Sequence, residues 1–191
     1  MGFEDLLYDS SRICVEMAGD VIREKPGVLA EAMDLAETGR SVTDARAARA
    51  IYFGTTGRQE MIFPHLERII HIVLTHQSNS VRQNFLKILS EMDLPDKEDI
   101  VSPLITRCFD WINTAESTPA VKVYSLEILY RMSLKIPELQ NELMFSIENQ
   151  LEQSSVAFKT RGNRILKKLR SDFIFHFSLI IFHFSIVLTF I

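Results

Sequence analysis

The chain has 191 residues, of which 47% are hydrophobic, and its formal net charge at pH 7 is −4. This length is enough for one domain with a real core, and the mild acidity argues against a dedicated nucleic-acid binder. Its two cysteines, Cys14 and Cys108, form no CxxC motif and no paired spacing, so we expect a protein of the reducing cytoplasm. The N-terminal residues are acidic where a secretion signal is basic, so no such signal is predicted.

Residues 3–24 form the first predicted element, an N-terminal capping helix or half-unit. Three apolar side chains, Ile13, Met17 and Val21, recur at helical spacing and lie on one stripe of this helix. The segment therefore precedes a repeating array that begins at Pro26.

Four prolines mark the predicted first helix of each repeat. Pro26, Pro64, Pro103 and Pro137 each stand near the start of an apolar helical stretch, and they are 38, 39 and 34 residues apart. Proline is favoured in a first helical turn, where its missing N–H costs nothing. The spacing indicates an internal repeat, the feature that decides a solenoid fold.

A second series of helices has its own register. An apolar residue followed by a basic one recurs with spacings of 36, 40 and 37, at Ala45-Arg46, Val81-Arg82, Val121-Lys122 and Phe158-Lys159. Short polar turns come before these helices, and several of them supply a Ser or Thr N-cap. Two interleaved series of nearly equal period predict an all-α stack of about four two-helix units, with bounds near 26–56, 61–92, 101–135 and 137–170.

The chain resembles a known family in four stretches. They are the Arg-Ala-Ala-Arg-Ala run at 46–50, Val81-Arg82 with Ile88-Leu89, AVKVYSLEILY at 120–130, and FKTRGNRILKKL at 158–169. These residues resemble the small bacterial HEAT-like repeat proteins, over roughly residues 1–170. The resemblance implies a right-handed α-α superhelix of the armadillo type and a scaffold role, with no catalytic residues to transfer.

Charge is divided between the two helix series. First helices taken as 26–40, 61–76, 101–116 and 137–153 contain ten acids against three bases, whereas second helices taken as 41–56, 79–92, 119–135 and 155–170 contain three acids against thirteen bases. In a HEAT-type stack the second helices line the concave side. We therefore predict a basic concave face that attracts an acidic partner.

The predicted partner-binding residues are the bases of the second helices. They are Arg46, Arg49, Arg82, Lys87, Lys122, Arg131, Lys159, Arg161, Arg164 and Lys167. Four of them have a structural alternative, because a base that recurs at one position of each unit can bond turn carbonyls or a neighbouring acid; these are Arg46, Arg82, Lys122 and Lys159. This alternative fits Arg49, Lys87 and Arg131 less well.

Motifs of catalysis and of cofactor binding do not occur in the sequence. There is no HExxH, GxSxG, Walker or GxGxxG pattern, and His65, His71 and His76 are six and five residues apart, a spacing that does not place them together as metal ligands. A HEAT-like DNA glycosylase would need carboxylates on the basic face, where only Asp44, Glu91 and Glu127 are available. We expect no enzyme activity, no cofactor and no metal.

Three functions remain open on these grounds. The first is a non-enzymatic, monomeric scaffold that binds an acidic protein or peptide segment on the basic face. The second is a nucleic-acid-binding protein, of the DNA-repair kind at the extreme, that uses the same face. The third is a membrane adaptor attached by its C-terminal tail.

Residues 171–191 include a hydrophobic tail without a formal charge from 173 onward. Nineteen such residues would span about 28 Å as a helix, close to the hydrocarbon thickness of a bilayer, and bases stand directly before them. Two near-identical heptads within it, IFHFSLI and IFHFSIV, favour instead an extension that is not native to the protein. A further packed helix is the third possibility, although the predicted fold is complete at LKKLR.

Overall fold

The computed structural model describes residues 2–95 and 97–171. Over these residues the chain forms nine α-helices, three short 3₁₀ helices and no strand. The α-helices are α1 (Arg12–Glu24), α2 (Val28–Leu35), α3 (Ser41–Thr55), α4 (Leu66–Thr75), α5 (Asn79–Glu91), α6 (Glu98–Asn113), α7 (Pro119–Ser133), α8 (Leu139–Gln150) and α9 (156–171). The 3₁₀ helices are Phe3–Leu6, Gln59–Met61 and Phe63–His65.

The helices pack in two layers that follow the two series of the sequence. In one layer α1 packs on α3, α3 on α5 and α5 on α7, and in the other α4 packs on α6 and α6 on α8. Helix α9 joins the first layer, because its arginines bond Glu127 of α7. A single continuous core of Leu, Ile, Val and Ala side chains lies between the layers.

N-cap side chains set the start of three of the four helices of the second series, α5, α7 and α9. The hydroxyls of Ser78, Thr118 and Ser155 accept hydrogen bonds from the backbone N–H groups of Val81, Val121 and Phe158. Each bond satisfies one of the N–H groups that the first helical turn leaves without a partner. The capping turns predicted before α5, α7 and α9 are thereby confirmed.

Helix α1 presents a different face to the core from the apolar stripe seen in the sequence. Ile13 is 72% exposed and Met17 is 60% exposed, while Cys14, Ala18 and Ile22 are buried. The buried side is the one that faces α3, where Gly19 and Gly54 let the two backbones approach closely. The contact face of this helix therefore centres on Gly19, with Ile22 beside it, and not on the stripe of Ile13 and Met17.

Pro103 is not at a helix start. Helix α6 begins at Glu98, so the proline lies inside the helix rather than in its first turn. Two acids, Glu98 and Asp99, occupy that first turn and favour the early start by their interaction with the helix dipole. The predicted start at residue 101 was wrong for this reason.

The C-terminal tail beyond residue 171 lies outside the described residues, and so do the interpretations that depend on it. Among the described residues, no helix has both the length and the apolar character needed to cross a membrane.

Candidate partner-binding face

The four second helices can be aligned by their first residues, which are 41, 79, 119 and 156. Counted from these starts, the tenth and eleventh residues are buried in the core in all four helices. The sixth and ninth residues are half-buried or exposed in all four helices, so they form one outward surface. We call this surface the second-helix face. It consists of Arg46, Asn84, Tyr124 and Arg161 at the sixth position and Arg49, Lys87, Glu127 and Arg164 at the ninth. Five of these eight residues are basic.

The first unit has a register that the sequence spacing missed. Arg82, Lys122 and Lys159 are each the fourth residue of their helix, but the fourth residue of α3 is Asp44 and not Arg46. The prediction that Arg46 shares the position of the other three was wrong by two residues. Asp44 is fully buried, so its carboxylate is not part of the second-helix face.

Arg82 is occupied by the backbone of its own hairpin. Its Nε donates to the carbonyl oxygen of Val73 at 3.2 Å and its Nη2 to that of His76 at 2.6 Å. These carbonyls belong to the last turn of α4, where the carbonyl groups have no partner within the helix, so Arg82 serves as a C-terminal cap. Its pKa is lowered by burial and by the neighbouring charge of Arg107. Arg82 thus makes the carbonyl bonds that the structural alternative describes.

Arg46 and Arg49 extend from α3 toward the N-terminal segment. Arg46 donates to the carbonyl oxygen of Leu7 and to Ser10 Oγ, both at 2.8 Å. Arg49 donates to the carbonyl oxygen of Ser10 at 3.2 Å, and its guanidinium lies 5.8 Å from the centre of the Phe53 ring. Among the described residues, both guanidinium groups donate to neutral oxygens only, and no carboxylate lies within ion-pair distance of either.

The middle of the second-helix face combines a base with an aromatic ring. Lys87 Nζ lies 4.0 Å from the centre of the Tyr52 ring, a cation–π geometry that joins α3 to α5. Burial acts to lower the pKa of Lys87, but the hydrogen bond to Tyr52 and the electrostatic interactions with Tyr52, Tyr124 and Glu91 raise it overall. Lys87 is therefore positively charged throughout the physiological range.

Glu127 collects the bases at the other end of the face. Its side chain is 15% exposed and accepts hydrogen bonds from Arg161 and, at 3.1 Å, from Arg164, while Arg131 Nε lies 3.7 Å away. These contacts join α7 to α9. The structure thus brings together three of the predicted site residues around one carboxylate.

The remaining predicted bases differ in their exposure. Lys122 is only 8% exposed, and burial lowers its pKa. Lys159 is half-buried and Lys167 is exposed, and neither makes an ion pair within the part of the chain that the structure describes. Lys122 consequently contributes little to any surface that a partner could touch.

The division of charge persists when the observed helix bounds are used. Helices α2, α4, α6 and α8 contain eight acids against two bases, Arg68 and Arg107. Helices α3, α5, α7 and α9 contain three acids against twelve bases. Helix α1 lies in the same layer but has three acids against two bases, so the basic surface begins at α3.

Comparison with known proteins identifies the family to which this architecture belongs. A family model described as HEAT repeat domain matches residues 10–169. The chain belongs to the HEAT repeat family. A solved structure, the designed armadillo repeat protein YIII(Dq)4CqI, is similar with a TM-score of 0.55 and 14% sequence identity, over 87% of this chain and 80% of that one. A comparison with curated proteins gives no match.

The HEAT repeat assignment confirms the all-α repeat solenoid and the resemblance to HEAT-like repeat proteins. HEAT repeats are typical of protein-interaction scaffolds, since stacked units present an extended surface for a partner. At 14% identity, the designed armadillo protein supports the fold alone.

One polar pair in this HEAT repeat was missed by the sequence reasoning. His76 donates from Nε2 to Asp44 Oδ2 at 3.3 Å and accepts at Nδ1 from the Ser78 backbone N–H at 3.0 Å. Because both ring nitrogens are engaged, His76 has no free nitrogen for proton transfer or metal binding. Within residues 2–95 and 97–171, no group of three or more His, Cys, Asp or Glu side chains could hold a metal ion.

Proposed function

We propose that this HEAT repeat protein is a non-enzymatic scaffold of the cytoplasm that binds an acidic protein or peptide segment on its second-helix face. One observation carries the proposal: the helices that form this face contain twelve bases, and two of their three acids present no unpaired carboxylate to a partner. Asp44 is fully buried and Glu127 is held by arginines, which leaves Glu91 as the exposed acid.

Several predicted site residues support this proposal by keeping an accessible charge. Arg49 and Lys87 lie at equivalent positions of adjacent helices and contact neutral groups or rings. Arg161, Arg164 and Lys167 extend the basic surface along α9. Charges arranged along one surface raise the rate at which an oppositely charged partner is captured.

Nucleic-acid binding on the same face is a second candidate, favoured by its aromatic rings. Lys87 lies over Tyr52, and Lys168 Nζ lies 5.1 Å from the centre of the Tyr130 ring. Bases alternating with aromatic rings suit single strands, whose bases stack while their phosphates pair with cations. The net charge of −4 repels a long polyanion more strongly than a short acidic segment, so it weakens this candidate more than the first.

Charge reversal on the full-length chain tests the proposal. A fluorescent Asp/Glu-rich peptide serves as the probe, and a Lys/Arg-rich peptide of equal length serves as the opposite probe. The double variant Arg49→Glu and Lys87→Glu should weaken binding of the acidic peptide by roughly tenfold or more, since surface steering alone changes association about 10- to 1,000-fold. Anisotropy titration measures the affinity.

The matched control reverses two bases away from the face, Arg12→Glu and Lys25→Glu, both exposed on or beside α1. Equal losses in both double variants would show that only net charge matters and would contradict a defined face. A labelled oligonucleotide in the same assay addresses the second candidate, because its affinity would fall steeply as salt rises.

A further inference from the structure

Three arginines converge on Glu127 where α7 meets α9. Arg161 donates from Nη1 to Glu127 Oε2, Arg164 donates from Nη2 to the same oxygen at 3.1 Å, and Arg131 Nε lies 3.7 Å from Oε1. We call Arg131, Arg161, Arg164 and Glu127 the arginine cluster. Its members come from two neighbouring helices of the second-helix face and are partly exposed.

The carboxylate leaves most of the donors of the cluster unused. Each guanidinium has five N–H donors, whereas a carboxylate has two oxygens. Among the described residues, the guanidinium groups of Arg161 and Arg164 donate only to Glu127, and Arg131 Nε is buried without a hydrogen-bond partner. A buried donor without an acceptor costs free energy, which a ligand with more oxygens would recover.

We propose that the arginine cluster is a binding subsite for a phosphomonoester, the phosphorylated serine or threonine of the acidic partner. This inference rests on the proposed function, because it assigns one contact of the same partner on the same face. The phosphate approaches from solvent and accepts hydrogen bonds from the guanidinium donors that Glu127 does not use.

The charge of the cluster selects the ligand. Three arginines and one glutamate sum to +2, and a phosphomonoester carries about −1.5 to −2 at pH 7. A partner carboxylate carries only −1 and offers no more oxygens than Glu127 already does. A phosphate has three terminal oxygens, which suits the forked donors of several arginines.

Glu127 has two effects on such a ligand. Its hydrogen bonds hold Arg161 and Arg164 close together, and its charge competes for the same donors. Replacement by glutamine raises the charge of the cluster from +2 to +3 while keeping the shape of the side chain. The variant Glu127→Gln should therefore bind a phosphomonoester more tightly, an effect opposite to that expected of a residue that merely supports the fold.

Three versions of one acidic peptide test the inference by titration with the full-length chain. They differ at a single central residue, which is phosphoserine, glutamate or serine. The phosphoserine peptide should bind at least roughly tenfold more tightly than the serine peptide, the scale of one charge-assisted hydrogen bond, and more tightly than the glutamate peptide. Arg161→Gln and Arg164→Gln should each remove most of that gain, whereas Arg12→Gln on α1 should not.

The outcomes separate this inference from the proposed function. If all three peptides bind with one affinity, the phosphate subsite is wrong and the acidic-partner face stands. If none binds, both are wrong. If Arg12→Gln reduces the gain from phosphoserine as much as Arg161→Gln and Arg164→Gln do, the phosphate subsite is wrong as well.

Two further measurements cover variants that fold poorly and other sources of phosphate. If Arg161→Gln unfolds, two variants still test the phosphate subsite. Arg164→Gln, at an exposed position, should weaken binding of the phosphoserine peptide, and Glu127→Gln should strengthen it. Inorganic phosphate should compete with the phosphoserine peptide, and failure to compete contradicts a phosphate site. An oligonucleotide that binds more tightly than the phosphoserine peptide, and is lost in the same variants, would assign the cluster to nucleic acid instead.

Discussion

Asp44 of α3 and His76, just after α4, form a hydrogen-bonded pair that links the first repeat to the second. Asp44 is 0% exposed, and Thr38 Oγ1 donates to its other carboxylate oxygen at 2.5 Å. The carboxylate is thus satisfied on both oxygens by residues from both sides of the unit boundary.

Removing either partner should destabilise the fold. His76→Ala leaves a buried carboxylate short of a donor, and we expect a loss of about 1–3 kcal/mol in the free energy of unfolding, the cost of an unsatisfied buried polar group. Urea denaturation followed by circular dichroism measures the change. The control is His71→Ala, at an exposed position of α4, and an equal loss there would contradict a special role for the pair.

Arg82→Lys separates the structural role of Arg82 from its charge. Lysine keeps the positive charge but lacks the fork that reaches the Val73 and His76 carbonyls together, so we expect a loss of about 1–2 kcal/mol in stability. Binding of the acidic peptide should not change. A variant of wild-type stability would show that the carbonyl bonds do not hold the end of α4.

The close crossing of α1 and α3 predicts a strong effect at Gly54. A Cβ at this position would lie 2.7 Å from the Gly19 carbonyl oxygen and 2.8 Å from Ile22 Cβ. Gly54→Ala should therefore cost about 1–3 kcal/mol, the usual price of overpacking. Gly27→Ala is the matched control, since a Cβ there meets no atom within 4 Å, and its effect should stay below about 0.5 kcal/mol.

Cys108 should resist thiol reagents as long as the protein is folded. Burial raises the pKa of its thiol to about 12, and the side chain is fully buried in α6. The thiolate is the reactive form, so labelling of the Cys14→Ser variant at pH 8 should be slow in buffer and fast in denaturant. Fast labelling of the folded variant would show that α6 opens readily.

The same thiol contributes a pH dependence of stability. Its folded pKa lies above the ordinary value of 9.0, so the unfolded state loses the proton first as the pH rises. The contribution of Cys108 is present below pH 9 and is lost progressively between about pH 9 and pH 12. In Cys108→Ser, the fall of stability over this range should be smaller than in the Cys108 protein.

Local patterns predicted the repeat because the determinants of a helix hairpin are local. Helical spacing of apolar residues and the hydroxyls of Ser78, Thr118 and Ser155 act within one or two turns of chain. The same reasoning missed the register of α3, which begins after Arg40 without a side-chain cap. It also placed Ile13 and Met17 on the contact stripe, because size alone does not show that α1 meets α3 through glycines.

The sequence by itself determined an all-α repeat with bases gathered on its second helices, because the spacing of apolar residues and the charge of each side chain do not depend on how the helices pack. Only the tertiary structure decided which of those charges are available. Asp44 is buried and hydrogen-bonded by His76, 32 residues away, and the carboxylate of Glu127 is shared by arginines 34 and 37 residues away. Such pairings depend on how repeats stack, because residues of adjacent units meet only when the layers close.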